Sequence, residues 1–562
     1  MRSNFDKRRG SEPAGDPVDN ATHAFQTLAI AGGSFCAGAI VGWGLAWVLA
    51  RRYRARFDWA VMWLVPLIGA VLLVRADVLE GVAAIASIAA LVGLLAGHLA
   101  GGIALHVEDR RAGDDRAHQA RERIGPHHVL LRRARRGRIA TTKSDELAIG
   151  LTERGGIASI KRGGSSGSHC LILGATGAGK TTLLELLASE YAIGGHAAVI
   201  VEAKTDFELE HELRRIATAL GRPFVLVSPH GPTVWDVLAT GGVDETVAKL
   251  LACEEWSEPY YLAGATRFLR WVVRGLESTG TRLTLSQVLA FCNPDRLATH
   301  VAKHGDAEVA RELEAFIKGM TPNERNDVAG LRSRLAVLAE SDYGRRWLDP
   351  EPEDTTALDL AEAIRGQAIV YFRLDAERHG IVAEKIGAAV AIELGAIASG
   401  LQGQPVPTFI GIDEYGAIES EQVERLFARG RAAGFSVAVA THTLADLRAA
   451  GDGVEDRFKG TADTCLCLRV GPDDADAVAG LAGQVGQWQS TNRTKGPLGI
   501  PDMVGTRTRG YRLRVHPSVL QHLGWGQCAV IRLDQGGKLR AVIARIVPSW
   551  ERVNGSVPGR ER

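Results

Sequence analysis

Seven cysteines are scattered over 562 residues and no two of them form a CxxC pair. Zinc ribbons and dithiol redox centres use that spacing, so neither chemistry is indicated. Cys465 and Cys467 sit two apart in "CLCLRV". On a strand that puts both thiols on one face, where they read as core residues rather than ligands. Their distribution fits a reducing cytoplasm. An excess of one charge is lacking too: 66 Lys and Arg stand against 65 Asp and Glu, a net +1. Bulk charge therefore neither demands nor excludes nucleic acid. No LSGGQ-like signature is present, which disfavours an ABC transporter, and no NKxD-like guanine reader is present either.

Apolar sequence is concentrated at the start. Residues 25–50, "FQTLAIAGGSFCAGAIVGWGLAWVLA", carry no charge and are long enough to cross about 30 Å of hydrocarbon. The run 59–74 is shorter and contains Pro66, and 78–105 is comfortably long. Small residues such as Gly38 and Gly42 would allow close helix contact. Three successive runs fit a cleaved signal peptide poorly. Three buried helices of a soluble core would need uncharged runs of a length rare in such cores. Beyond residue 107 the chain is dense in arginine, which the positive-inside rule assigns to the cytoplasm. Three spans would leave the N-terminus outside; two would leave it inside.

The next feature is "SHCLILGATGAGKTTLLELLASEYA". A short apolar run, a glycine-rich turn and an amphipathic run read as strand, loop and helix. That is the context a G-x-x-x-x-G-K-T phosphate loop requires. Gly174, Ala175, Thr176, Gly177, Ala178, Gly179, Lys180, Thr181 and Thr182 form the nucleotide-binding stretch. The backbone N–H groups and the helix N-terminus would face phosphate. Lys180 would reach the β- and γ-phosphates of ATP, and Thr181 would hold Mg²⁺ through its hydroxyl. More than two hundred residues later, "PTFIGIDEYGAI" ends an apolar strand in Asp413 and Glu414. The first acid suits the metal's ligand shell and the second can polarise an attacking water.

Strand-like runs at 196–204, 223–229, 367–375, 435–442 and 465–470 alternate with helical stretches. That alternation implies an α/β fold with a parallel sheet. Residues 244–360 show helical periodicity instead, as in "YYLAGATRFLRWVVRGLES". The segment 508–547 has a strand-and-turn look, with no chemical role beyond completing the fold.

Together, "GATGAGKTT", "VEAKTDFELEHEL", "VYFRLDAERHG", "IDEYGAI", "GRAAGFSVAVATHTLADL" and "YRLRVHPSVLQHLGWGQCAVI" resemble, in order, the type IV coupling proteins. These are the inner-membrane ATPases of conjugation and type IV secretion, within the class of FtsK- and HerA-type translocases. The resemblance covers about 150–546. It implies a RecA-like nucleotide-binding domain (151–243 and 361–547) interrupted by an all-helical domain (244–360). A membrane region (1–107) and a basic linker (108–150) come before it, and a tail (548–562) follows. It further implies ATP and Mg²⁺ as cofactors and a homo-hexamer at the inner or plasma membrane, multi-pass, with the ATPase domain in the cytoplasm. The implied partners are the secretion-channel proteins and DNA, single-stranded with an attached relaxase.

The family's trans-acting arginine falls on Arg431, with Arg429 and Arg457 nearby. His442 occupies the sensor position where the family usually has Gln. The family's DPKGD element has become Glu202, Ala203, Lys204, Thr205 and Asp206, which leaves a structural or subunit-contact role. Three alternatives stand beside this reading. A coupling ATPase could deliver protein effectors without DNA. An FtsK-like pump would carry a C-terminal winged-helix reader, for which the end of the chain leaves no room. A scaffold with a decayed site fits poorly with intact Lys180, Thr181, Asp413 and Glu414.

Overall fold

In the computed structural model the described residues are 17–53, 85, 88–97, 100, 146–153, 155–252, 258–341, 345–346, 357–418, 421–492, 505–533, 537–549 and 552. The chain divides into two units, Met1–Arg133 and Ala134–Arg562.

In the first unit, Pro17–Tyr53 is one helix, and its portion Thr22–Trp43 is long and apolar enough to cross a membrane. The expected run 59–74 lies outside the described residues. Within 78–105 the helix Ile88–Gly97 is described, too short to cross by itself. Among the described residues, one helix of spanning length therefore stands where three were expected. The two helices meet at small residues. A Cβ on Gly38 would lie 2.0 Å from the carbonyl oxygen of Ala90, and one on Gly97 would lie 1.9 Å from that of Ala39. Only glycine permits this backbone approach.

The second unit is built on an eleven-stranded sheet. Strands β1 (Glu146–Thr152), β2 (Ile157–Lys161), β3 (Cys170–Leu173), β4 (Ala197–Glu202), β5 (Phe224–Val227), β6 (Ile369–Arg373) and β7 (Thr408–Asp413) come first in the chain. Then follow β8 (Phe435–Thr441), β9 (Thr464–Cys467), β12 (Gln527–Leu533) and β13 (Leu539–Ile546). The order across the sheet is β2-β1-β13-β12-β9-β3-β8-β7-β4-β6-β5. From β9 to β5 every pairing is parallel; from β9 to β2 every pairing is antiparallel.

The parallel strands read as continuous apolar runs because both faces are covered. Along β4, Ala197, Val199 and Val201 enter one core, and Ala198 and Ile200 the other. The helices Lys180–Ile193 and Phe207–Leu220 cover the second face; Ala376–Gly400, Glu421–Arg429 and Val454–Thr461 cover the first. Cys465 and Cys467 are buried on β9, and burial pushes the Cys465 thiol up to about 12.

Between β5 and β6 the chain is helical: Val243–Leu250, Pro259–Ser278, Leu285–Phe291, Pro294–His304, Ala307–Lys318 and Pro322–Ala339. Polar caps start these helices where the sequence changes period. Asn293 and Asp306 accept from the next free N–H groups, and Thr321 with Glu324 forms a capping box. A buried ammonium ties this layer to the sheet domain: Lys249 Nζ lies 3.2 Å from Glu393 on Ala376–Gly400 and 3.0 Å from Glu245.

Two features lie outside what the sequence reading assigned. Strand β1 begins at Glu146, inside the stretch read as linker. Arg552, in the stretch read as tail, is buried: its guanidinium sits 2.9 Å from Glu190 and donates to the carbonyls of Val547 and Ile149. Both charged side chains are fully enclosed. Truncating Arg552 leaves a buried carboxylate uncompensated. Arg552→Ala is expected to destabilise the second unit by about 3 to 5 kcal/mol, measured by urea unfolding followed by tryptophan fluorescence.

Glu202, the last residue of β4, pairs in register with Asp413 and is buried. The Tyr371 hydroxyl donates to its carboxyl. Burial pushes this carboxyl up to about 9, and neighbouring Asp413, Asp206 and Glu414 act in the same direction against the Tyr371 bond. It is therefore neutral in the fold and ionised in the unfolded chain at neutral pH. Its contribution to stability is full below its ordinary value of 4.5 and declines as pH rises through about 9. Glu202→Gln, which mimics the neutral form, should gain stability over the parent progressively from about pH 5 to 9. Unfolding midpoints across that range measure the effect, and a pH-independent difference would contradict it.

Candidate active site

The loop after β3 is shaped by its glycines. Gly177 and Gly179 have φ of 72° and 103°, a region that favours glycine. A Cβ on Gly174 would meet the Leu468 side chain at 2.8 Å. The loop is fastened to its neighbours by Gly174 N–H to the Thr441 carbonyl (3.3 Å) and Ala175 N–H to the Arg469 carbonyl (2.8 Å). Thr176 and Gly177 form its exposed crest, and Lys180 is buried beneath. The helix Lys180–Ile193 starts without a side-chain cap and without an acid in its first turn. Its free N–H groups and positive dipole end are left for an anion.

Three parallel strands bring the other groups to this point. Leu173 on β3 is in register with Thr441 on β8, and β7 lies on β8's far side, ending at Asp413. The Thr181 hydroxyl donates to Asp413 Oδ2 at 2.9 Å. Burial raises the Asp413 carboxyl above its ordinary value, opposed by the Thr181 bond and the Lys180 charge. A hydroxyl and a carboxylate side by side are the hard oxygen donors that Mg²⁺ prefers. With the uncapped helix start and the glycine loop, the residues fit a Mg²⁺–nucleotide, held by Thr181 and Asp413 at the metal and by 174–182 at the phosphates.

Lys180 Nζ donates to the Gly174 carbonyl (2.9 Å) and lies 2.7 Å from His442 Nδ1. An ammonium has no lone pair, so it donates and Nδ1 accepts. The remaining ring proton is then on Nε2, which lies 3.3 Å from Glu414 Oε1. The same oxygen pairs with the Lys204 ammonium. A chain of contacts thus runs Lys180–His442–Glu414–Lys204. Burial lowers the Lys180 ammonium below its ordinary value, against the pull of Asp413 and Glu414. Glu414 holds a left-handed backbone (φ 55°, ψ 57°), a conformation costly for a non-glycine residue and typical of functional sites.

His442 is fixed from behind. Asp446 accepts from its backbone N–H (3.1 Å), from Thr443 N–H (3.0 Å) and from the Thr441 hydroxyl (2.7 Å). Burial works against ionisation of Asp446, but these hydrogen bonds outweigh it and hold its carboxyl below its ordinary value.

The structure therefore brings Lys180, Thr181, Asp413, Glu414 and His442 together. Arg431 is elsewhere. It lies in the turn Gly430–Ala433 that precedes β8, and its guanidinium binds Asp463 and the Thr461 carbonyl, each at 2.9 Å. Seven residues of strand, about 20 Å, separate that end of β8 from His442. Arg429 ends the helix Glu421–Arg429, and Arg457 pairs with Glu424 at 2.9 Å. Lys204 was missed as a site residue; the register of β4 against β7, which sets Glu202 beside Asp413, carries it to Glu414. Asp206 instead caps the helix Phe207–Leu220, accepting from Glu208 and Leu209 N–H groups.

No family model and no curated protein matches the sequence. Solved structures do match in fold. The unbound monoclinic form of the bacterial conjugative coupling protein TrwBdeltaN70 aligns over 74% of this chain and 92% of its own, with TM-score 0.55 and 14% identity. Its trigonal form in complex with sulphate aligns over 76% and 93%, with TM-score 0.52 and 14% identity. The plasmid coupling protein TrwB in complex with the non-hydrolysable GTP analogue GDPNP aligns over 76% and 94%, with TM-score 0.51 and 14% identity. The chain shares the α/β fold of these conjugative coupling proteins.

Proposed function

We propose that this chain is a type IV coupling protein: a membrane-anchored ATPase that moves DNA into a secretion or conjugation channel. The observation that carries the reading is the meeting of Lys180, Thr181, Asp413, Glu414 and His442 at the carboxyl ends of β3, β7 and β8. The likeness in fold to structures described as conjugative coupling proteins supports it.

Lys180 and the N–H groups of 174–182 bind the triphosphate. Thr181 and Asp413 would hold Mg²⁺, which would supply neutralisation of charge developing on the phosphate oxygens. Glu414 orients the attacking water and accepts its proton. His442 links the two halves of the site: when Lys180 turns to phosphate, Nδ1 loses its donor and the hold of Nε2 on Glu414 loosens. Arg431 serves the neighbouring subunit of a homo-hexamer. The helix Pro17–Tyr53 anchors the chain in the inner membrane with the ATPase unit in the cytoplasm. There it would meet channel proteins and single-stranded DNA bearing a relaxase.

Hydrolysis by the full chain in detergent should rise on adding single-stranded DNA and vanish in Lys180→Ala. Hydrolysis that ignores DNA would instead favour delivery of protein effectors. Arg431→Ala should lower kcat by about a thousandfold or more, the scale of a trans arginine. Its nucleotide affinity should stay within about twofold, as expected for a group stabilising only the transition state. A comparable loss of affinity, measured with a fluorescent ATP analogue, would place Arg431 in nucleotide binding or folding instead.

A further inference from the structure

Strands β10 (Gln484–Asn492) and β11 (Gly505–Leu513) form a sheet of their own. They pair antiparallel without interruption, from Gln484 opposite Leu513 to Asn492 opposite Gly505. At about 3.4 Å per residue this makes a ribbon about 30 Å long. A lone two-stranded ribbon is marginal in water, and among the described residues no third strand joins it.

Its chemistry differs from that of the rest of the chain. Residues 484–514 contain Arg493, Lys495, Arg507, Arg509, Arg512 and Arg514 against one acid, Asp502, while the whole protein nets only +1. The register sets Gly486 opposite Tyr511, Trp488 opposite Arg509 and Ser490 opposite Arg507. Alternate positions share a face, so Tyr511, Trp488, Arg509 and Arg507 fall on one face and Arg512 on the other. Tyr511 is 69% exposed, and Arg509 and Arg512 are exposed as well. Gly486 leaves room for the guanidinium of Arg509, whose Nε lies 3.5 Å from where a Cβ would be.

We propose that the Tyr511–Arg509 face of this ribbon grips single-stranded DNA, an inference that rests on the reading of DNA as the transported substrate. Interleaved arginines and aromatics supply the two contacts such a strand offers. Guanidinium forks pair with phosphates, and ring faces accept any unstacked base. No acid lies among the described ribbon residues to repel phosphate. Grip of this kind is sequence-tolerant, as a transporter requires.

The test uses the full chain in detergent and a fluorescein-labelled oligothymidine of about thirty nucleotides, read by anisotropy between about 50 and 200 mM salt. Arg507→Gln with Arg509→Gln should weaken binding about tenfold. It should also flatten the slope of log affinity against log salt by about 1.4, or 0.7 per phosphate contact on a single strand. Tyr511→Ala should weaken binding roughly tenfold with the slope unchanged, the mark of lost stacking. Arg512→Gln removes one positive charge from the opposite face and should bind like the parent. Binding of a fluorescent ATP analogue reports that each variant is folded.

Equal weakening by Arg512→Gln and the double variant would overturn the face assignment. So would a loss of DNA binding that tracks a loss of assembly in light scattering, which would make the ribbon a subunit-docking arm. If the parent binds DNA and the double variant binds equally well, the ribbon proposal alone falls. If the parent does not bind DNA, the substrate reading falls with it.

Discussion

The parallel pairing of β3 with β8, and of β8 with β7, is the constraint on which the rest depends. Parallel strands finish at the same end of a sheet, so residues following three separate strands converge without any direct sequence relation. Register converts that into distance. Leu173 beside Thr441 brings His442 to Lys180, and β7 ending one strand further on brings Asp413 to Thr181. A one-residue slip of β8 would move His442 about 3.4 Å along the strand and turn its side chain to the other face. The two apolar cores hold this register by burying alternate residues of each strand.

Much of this was legible in the sequence because the signals are local. A glycine loop between an apolar strand and a helix has few other uses, and two acids at a strand tip are visible without neighbours. The seven parallel strands announce themselves as apolar runs. Lys204 was not legible as a site residue. Its contact with Glu414 depends on β4 lying beside β7, and these segments are two hundred residues apart. The burial of Arg552 was not legible because it sits in polar sequence, and only the fold shows the buried carboxylate beside it. β1 is interrupted by Gly150, and β2 is only five residues long. β10 and β11 carry few apolar residues, so period-two alternation, the usual strand signal, had little to act on.

The sheet is also extended unevenly. Four antiparallel strands, two from before the P-loop and two from near the end of the chain, close the β9 side. Arg552 then seals Glu190 on the helix that carries Lys180 at its start. The helix that begins at Lys180 is thus clamped at its far end by the last described residue of the chain. Its position is set by packing from both termini of the domain, whereas the helical layer between β5 and β6 is held through the buried Lys249–Glu393 pair.

The opposite placement of Arg431 and the P-loop has a consequence for symmetry. The sheet has a head, where Lys180 and Glu414 lie, and a tail, where Arg431 lies. A two-fold dimer with its two sheets antiparallel would set each head against the other copy's tail, and the assembly would end at two chains. A heterologous contact, head on tail, would instead set Arg431 against one neighbour's glycine loop and leave the other end of each copy open. Such a contact repeats from copy to copy, and it ends either by closing into a ring or by running on as a helical filament. If Arg431 serves a neighbour, the polarity of a single parallel sheet is what makes the contact directional.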